Sequence, residues 1–383
     1  MLSEAAFNII CVTSSRSSSD GMYLIAFNTF CNSKSVKYPY SDRRLFILPR
    51  PYSYEYYVLF AGFDLDETCR YTYEHNNHIP FHQQNIRDMT GDEILNCYTP
   101  NVTQVLVGCA PCQPFSQMSI KRGEQIIRED EKYNLLLEFG RMIRRVHPTV
   151  ISMENVPKIR NTDIFKEFLA ILDEEGYYTD GGNVVYCPDY GIPQNRHRFV
   201  LLASNLGEIH LIPPTHNRQD VTVRPFIENL PPVEAGEICP TDPMHRTAHL
   251  SDKNLQRIRA SVPGGTWKDW PEELRCECHK KDTGKTYTSV YGRMRWDAIG
   301  PTMTTQFHCY GTGRYGHPVQ DRALTLREGA LLQTFPNDYN FINPDTDFCM
   351  KDVARHIGNA VPVRLGEVIG TTIVNHLANH NIH

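Results

Sequence analysis

The sequence predicts an α/β fold: a doubly wound, Rossmann-like sheet with a smaller, loop-rich lobe attached. Two observations predict it. Short apolar runs alternate along the chain with amphipathic segments of helical period, as in strand–helix–strand architectures. Residues able to do chemistry stand at the ends of several of those runs, where ligands bind in open α/β sheets.

The elements follow in order. Residues 1–57 hold Ser14-Ser15-Arg16-Ser17-Ser18-Ser19 and then Tyr-rich text without a clear period, so no fold is assigned to this segment. Val58-Leu-Phe-Ala-Gly-Phe-Asp64 reads as a short strand ending in acid, and residues 69–76 read as helix. Val102–Val107 is the next strand. Leu135, Phe139, Met142 and Val146 are spaced by 4, 3 and 4, which predicts an amphipathic helix over 133–146. Val150–Met153 reads as strand, the segment around Phe165, Phe168, Leu169 and Leu172 as helix, and Phe199–Ala203 as strand. From about 205 the alternation gives way to Pro213-Pro214, Pro231-Pro232, Pro263-Gly264-Gly265 and many aromatics. Regular structure returns at Thr325-Leu-Arg-Glu328, a capping-box pattern opening a helix through Gln333, and at Ala354–Ile373. The expected division is therefore an atypical segment 1–57, an α/β unit 58–204, a smaller loop-rich lobe 205–307, and a part 308–383 that completes the α/β unit.

Composition bounds the function. The chain has 383 residues, 40% of them hydrophobic, enough for one large domain and a smaller one. Its net charge of −5, from 39 basic and 44 acidic residues, excludes a broadly basic nucleic-acid binder and leaves room for a local basic cleft. Twelve cysteines without regular spacing fit reduced thiols better than a disulfide framework. Neither a signal peptide nor a membrane span is expected, and the expected location is cytoplasmic.

Three segments carry chemistry. Cys112 sits in Gly108-Cys-Ala-Pro-Cys-Gln-Pro-Phe-Ser116, directly after Val105-Leu-Val107, where a thiol is placed for nucleophilic attack. Glu154 ends the apolar run of Thr149-Val-Ile-Ser-Met-Glu-Asn-Val-Pro157. Arg196 and Arg198 alternate in Gln194-Asn-Arg-His-Arg198, just ahead of another strand. A thiol, a carboxylate and two guanidiniums thus lie at strand edges.

Together with Arg322-Ala-Leu-Thr-Leu-Arg-Glu328 and Gly358-Asn-Ala-Val-Pro362, this ordered set resembles the DNA (cytosine-5)-methyltransferase family of bacterial or phage type, over roughly residues 58–375. The resemblance implies transfer of a methyl group from S-adenosylmethionine to carbon 5 of cytosine in a specific duplex DNA sequence. Carbon 5 is a poor nucleophile until a thiolate adds at carbon 6, and Cys112 matches that thiolate. Glu154 matches the carboxyl that bonds N3 and the 4-amino group. Arg198, with Arg196, matches the groups that hold the base, and Asn155 would orient the loop. The base must leave the duplex, and residues 115–130, with Lys121, Arg122 and Arg128, match a loop that closes over DNA, though a solvated loop would read the same. For the cofactor, Asp64 matches the acid on the ribose hydroxyls and Asp88 the acid on the adenine amine, unless both are ordinary turn acids. Pro111 would line the cofactor and Asn359 would close over it. A restriction–modification or phage setting, a separately acting restriction endonuclease and a monomeric state complete the expectation. Alternatives are a degenerate relative that only binds DNA, and an RNA cytosine methyltransferase of similar fold.

One departure stands out. The family opens with a strand, a Gly-rich turn and a helix before the ribose acid, because backbone must approach the cofactor closely. Here Leu59-Phe-Ala-Gly62 resembles the start of that turn, yet Phe63-Asp64-Leu65-Asp66-Glu67 follows at once. Either the chain is damaged near its start, which is the preferred reading, or the atypical N-terminal segment supplies a strand and helix of its own.

Other features divide between bland and functional readings. Cys276-Glu-Cys278-His279 is a partial metal set, but structural zinc usually needs two ligand pairs, Cys309 stands alone, and no metal is expected. Arg275, Lys280, Lys281 and Lys285 form a basic run that suits either phosphates or solvent. Tyr291-Gly-Arg-Met-Arg-Trp296 and Thr302-Met-Thr-Thr305 resemble segments bordering the DNA cleft and also read as lobe core. Gly311-Thr-Gly313 is too short to assign to phosphate binding.

Overall fold

The computed structural model describes residues 23–30, 56–98, 103–111, 131–282 and 284–381, with backbone alone for 23–30, 56–60 and 131–132. Cys112 and the loop 115–130 lie outside the described residues.

Seven strands form one mixed sheet: β1 (Tyr23–Phe30), β2 (Tyr56–Asp64), β3 (Phe81–Gln83), β4 (Thr103–Cys109), β5 (Val150–Asn155), β6 (Asn183–Tyr186) and β7 (His197–Ser204). Their order is β3-β2-β1-β4-β5-β7-β6. β2 and β3 are parallel, as are β4 and β5, whereas β7 runs antiparallel to both β5 and β6.

β1 comes from the segment to which the sequence assigned no fold. It is antiparallel to both β2 and β4, pairing Leu24 with Phe63 and Tyr23 with Cys109. Without it β2 and β4 would face each other across a missing strand, leaving two rows of unpaired backbone groups inside the sheet. The N-terminal segment therefore supplies a strand. Its direction places the start of β1, rather than its end, beside the C-terminal ends of β2 and β4.

Period-two alternation distributes the sheet between two cores. Val105, Val107, Cys109, Val150, Val200 and Leu202 face one cluster. Leu106, Ile151, Met153, Phe199, Leu201 and Ala203 face the other. That second face is covered by α2 (Leu135–Val146) and α3 (Asp163–Glu174), joined by stacked Phe139 and Phe168 rings with centroids 5.8 Å apart. α2 buries the 135/139/142/146 stripe and stops at His147, which is left-handed at φ 47°. The first face is covered by α5 (Leu326–Leu332), α6 (Met350–Asn359) and α7 (Val363–Asn379), whose Leu326, Ala330, Ile357, Leu365 and Ile373 join its cluster. The two faces together give the doubly wound plan that the sequence predicted. α1 (Arg70–Asn77) follows β2 and ends at left-handed His78.

α5 opens as its sequence says: the Thr325 hydroxyl accepts from the Glu328 N–H, and the Glu328 carboxylate accepts from the Thr325 N–H at 2.8 Å. The region between β7 and α5 holds a two-stranded ribbon, β8 (Ile238–Cys239) and β9 (Asp242–Arg246), and α4 (Asp252–Arg259). A separate small cluster there contains Leu250, Ile258, Trp267, Trp270, Val290 and Tyr310. Arg293, from the Tyr291–Trp296 segment, donates to the carbonyls of Ile258, Ser261, His317 and Gln320 and ion-pairs with Asp321. One buried guanidinium thus closes four backbone acceptors in a region poor in regular structure. Among the described residues no helix is long and apolar enough to cross a membrane, and all nine cysteines are free thiols.

Candidate active site

Glu154 ends β5 and Arg198 opens β7, and the antiparallel pairing of these strands brings them together. Glu154 is nine-tenths buried. Its Oε1 lies 2.8 Å from Arg198 Nε, close for an ion pair but off the line of a hydrogen bond. Burial pushes the Glu154 carboxyl above the usual carboxylate range, against the opposing pull of Arg198 and then Arg196. A carboxyl poised this way exchanges a proton more readily than an exposed glutamate.

Asn155, the next residue, turns the other way. Its Nδ2 donates to the Ala110 carbonyl at 3.0 Å, and its Oδ1 accepts from the Val156 N–H at 2.8 Å. It thereby ties the end of β5 to the chain leaving β4, next to buried Pro111 and two residues before Cys112.

Arg196 is 2% exposed and has a different neighbourhood from Arg198. Its Nη1 donates to the Met303 carbonyl at 2.9 Å, and its Nη2 reaches the Ala360 carbonyl at 3.4 Å. Gln194 does similar work. Its Nε2 donates to the Leu332 carbonyl and to Gln333 Oε1, both at 2.7 Å, and its Oε1 accepts from the Met303 N–H at 2.8 Å. Gln333 in turn donates to the Ile357 and Ala360 carbonyls. The Gln194–Arg198 segment is therefore split: Gln194 and Arg196 bind the sheet to the C-terminal helices, and Arg198 faces Glu154. Gln333 could not be found from local pattern, because its partners are 24 to 139 residues away along the chain.

Beneath this region lies a buried ion pair. Arg322 grips Glu328 through both terminal nitrogens, each at 2.8 Å, with both residues buried. Burial alone would raise the Glu328 carboxyl, but Arg322 outweighs it, and the pKa falls to about 2.

The other expected site residues lie toward the opposite end of the sheet. Asp64 ends β2, is fully buried, and accepts from the Asp66 N–H through Oδ1 at 2.8 Å. Asp66 pairs with Arg355 of α6 at 2.6 Å, joining β2 to the C-terminal helices. Asp88 is exposed at the end of a one-turn helix, Ile86–Asp88, whose N-terminal Asn85 accepts from the Arg87 N–H. Arg141 of α2 fixes this turn from outside by donating to the Ile86 and Met89 carbonyls, both at 2.7 Å. Sequence reasoning missed Arg141, because an arginine on the polar side of an amphipathic helix reads as solvated.

Asn359 is the last residue of α6, half-buried. Gly358 before it is required by contact: a Cβ there would sit 2.3 Å from the Thr304 carbonyl oxygen. β2 and β4 end at the same edge as the start of β1, so among the described residues no parallel first strand leads into a Gly-rich turn at that edge.

A buried carboxyl beside an arginine at the ends of β5 and β7, with further acids at the end of β2 and in the turn after β3, places polar groups where enzymes of open α/β sheets bind their ligands. A profile of C-5 cytosine-specific DNA methylases matches residues 52–375, and the chain belongs to that family. It is a DNA (cytosine-5-)-methyltransferase, and S-adenosylmethionine is its methyl donor. A Type II methylase of Herpetosiphon aurantiacus, M.HgiDII, is 50% identical over 323 residues, 83% of this chain and 89% of the relative. A Type II methyltransferase of Escherichia coli, M.Eco47II, is 31% identical over 295 residues, 74% of this chain and 67% of the relative. In fold, the chain matches a prophage-encoded DNA modification methyltransferase from E. coli with a TM-score of 0.61 at 18% identity, over 82% of this chain and 92% of that one. An insect DNMT2 from Spodoptera frugiperda gives a TM-score of 0.55 at 17% identity, over the same shares.

The donor set suits the cofactor. Ribose hydroxyls and an adenine amine are hydrogen-bond donors, and the carboxylates of Asp64, at the end of β2, and Asp88, in the turn after β3, are of the type that accepts them.

Proposed function

We propose that this enzyme methylates cytosine within a specific duplex DNA sequence as the modification half of a Type II system, through a flipped-out base and a covalent Cys112 adduct. The observation that carries the proposal is the junction at Asn155. One strand end presents Glu154 beside Arg198 and, through the neighbouring residue, holds the Ala110–Pro111 backbone that leads into Cys112.

In this reading the Cys112 thiolate adds to carbon 6 of cytosine. Glu154 bonds N3 and the 4-amino group and supports the charge that develops on the ring. Its raised proton affinity suits a proton-sharing contact with N3. Arg198 keeps the carboxyl in place and flanks the base. Arg196 is a positioning residue, because its terminal nitrogens are committed to Met303 and Ala360. S-adenosylmethionine supplies the electrophilic methyl group to carbon 5. Asp64 would hold its ribose and Asp88 its adenine, with Pro111 lining the site and Asn359 closing it. Loss of the carbon 5 proton and expulsion of the thiolate then restore the ring.

Residues 205–307 would form the target-recognition lobe, residues 58–204 and 308–383 the catalytic unit, and residues 1–57 an atypical addition to it. The enzyme would act as a monomer on duplex DNA, with a cognate restriction endonuclease acting separately.

The test is transfer of labelled methyl from S-adenosylmethionine to mixed-sequence duplex DNA, with Cys112→Ala as control. Transfer that disappears in the variant supports the assignment. Transfer that persists in Cys112→Ala removes Cys112 as the nucleophile. A folded chain that binds DNA but transfers nothing would support a relative that only binds.

A further inference from the structure

We propose that Cys276, Cys278 and His279 bind a zinc ion in the 205–307 lobe, with the fourth position open to water or to another ligand. The expectation of no metal rested on the missing second ligand pair, and three features of the folded chain now weigh against it.

The first is convergence. Cys276 precedes a single helical turn, Glu277–Lys280, which carries the other two residues. One ligand atom from each of the three lies within 4.8 Å of the other two. Bonds of about 2.3 Å from zinc to sulfur and 2.0–2.1 Å to imidazole place tetrahedral donors about 3.4–3.8 Å apart, so the three atoms would close on the ion by up to about 1 Å through side-chain rotation. Two thiols and an imidazole are the donors that favour zinc over hard cations.

The second is an unanswered imidazole. His279 is 4% exposed, and its Nδ1 is buried without a hydrogen-bond partner. A buried polar nitrogen left unpaired is destabilising, and a metal is one way of removing that cost. The ring is held in a fixed plane, stacked on Trp267 with centroids 4.2 Å apart and edge-on to Tyr291 at 5.9 Å. Trp267 is anchored in turn, its Nε1 donating to the Tyr287 carbonyl at 2.7 Å.

The third is close packing. Gly284 packs so tightly on Cys278 that a Cβ would overlap the Cys278 carbonyl oxygen, so the chain folds back directly over this turn.

The second convergent group, Asp66, Cys69 and His356, offers a contrast. Arg355 already pairs with Asp66 there at 2.6 Å, and a resident guanidinium leaves a divalent ion little to gain. Among the described residues no ion pair involves His279, and the nearby Arg257 donates to the Leu274 carbonyl and to Asn254.

The zinc would fasten a short turn that has little apolar surface of its own to the Trp267–Trp270 cluster. It would thereby fix the course of the basic run Arg275, Lys280, Lys281 and Lys285. Its role is structural, in a lobe whose core is small.

The test uses the full chain purified without chelator or affinity-tag metal. Zinc is measured by elemental analysis, and cobalt(II) substitution is followed by absorbance. We expect about one zinc per chain, and a cobalt complex with thiolate-to-metal absorption and intense tetrahedral bands. Cys278→Ser, at an exposed position, should lower zinc content about tenfold or more while the chain stays folded; Cys349→Ser, at an exposed cysteine elsewhere, should leave it unchanged. A folded wild type without stoichiometric zinc and without the cobalt bands would overturn the proposal. So would zinc retained in Cys278→Ser, which would place the metal elsewhere.

Discussion

The two ends of the sheet are built by different rules. On the proposed base side, Glu154 and Asn155 end β5, Arg198 lies in the adjacent strand β7, Gln194 and Arg196 lie just before it, and their side chains meet one another or backbone within a few ångströms. On the donor side, Asp64 and Asp88 stand on separate elements, and the strand that completes the sheet between β2 and β4 arrives from residues 23–30 running the opposite way. On the proposed reading, the chemical step, with its tight geometric demand, falls where backbone pairing fixes the side chains, and cofactor binding is spread over contacts that more than one turn could supply, so that side tolerates a departure from the family's opening strand and turn.

The sharpest way to break this comparison is Glu154→Gln. The base side should fail alone: single-turnover methylation is expected to slow by about 10²–10⁴-fold, while S-adenosylmethionine binding by calorimetry stays unchanged. Folding gives an internal control through the sign of the shift. Burial raises the folded-state pKa of Glu154 above its unfolded value, so its contribution to stability is fully present below the unfolded pKa and is lost as pH rises through the folded one. The amide carries no such loss, and the variant should melt no lower than wild type at pH 8. A variant that loses donor binding as well would show that the two ends are one cooperative site.

Much of the base side was legible in the sequence, for a physical reason. Strands β4, β5 and β7 are buried on both faces and read as unbroken apolar runs, so the polar residue at each end is conspicuous. The capping box at Thr325 is equally local. What was missed depends on non-local pairing. β1 follows a Ser-rich segment and gains its meaning only from partners in β2 and β4. Arg141 reaches the Asp88 turn from 52 residues away along the chain. Arg196 and Arg198 look alike in sequence and stand two apart, a spacing that strand alternation would place on one face; Arg196, just before β7 begins, instead reaches the C-terminal helices, while Arg198 within β7 meets Glu154.

The base side also rests on a frame that touches no base, and Glu328→Gln tests it. Removing one partner of a buried ion pair leaves Arg322 uncompensated, which costs about 3–5 kcal/mol and should appear as a lower urea midpoint at pH 7. The wild-type pair has its own pH signature. The Glu328 pKa is depressed from 4.5 to about 2, so the stability it contributes is present above pH 4.5 and is lost as pH falls toward 2. The gap between wild type and variant should therefore narrow in acid. A gap that stays constant from pH 6 to pH 3 would mean that packing, rather than charge, holds α5 in place.

The smallest effect is expected at Asp64, and it sharpens the comparison from the donor side. Asp64→Asn keeps the side chain's shape and one carbonyl acceptor, and the Asp66 N–H that Oδ1 now receives can still be satisfied. What is lost is the charge on a hydrogen bond to a ribose hydroxyl, a difference of about 1–2 kcal/mol. S-adenosylmethionine should bind about tenfold more weakly, with the rate at saturating donor near that of wild type and DNA affinity unchanged. This is the inverse of the Glu154→Gln pattern, in which the rate falls and donor binding holds. If Asp64→Asn lowers the saturated rate and leaves donor affinity alone, then Asp64 is part of the frame between β2 and α6, beside the Asp66–Arg355 pair, and the ribose is held by another group at the edge where β1 enters the sheet.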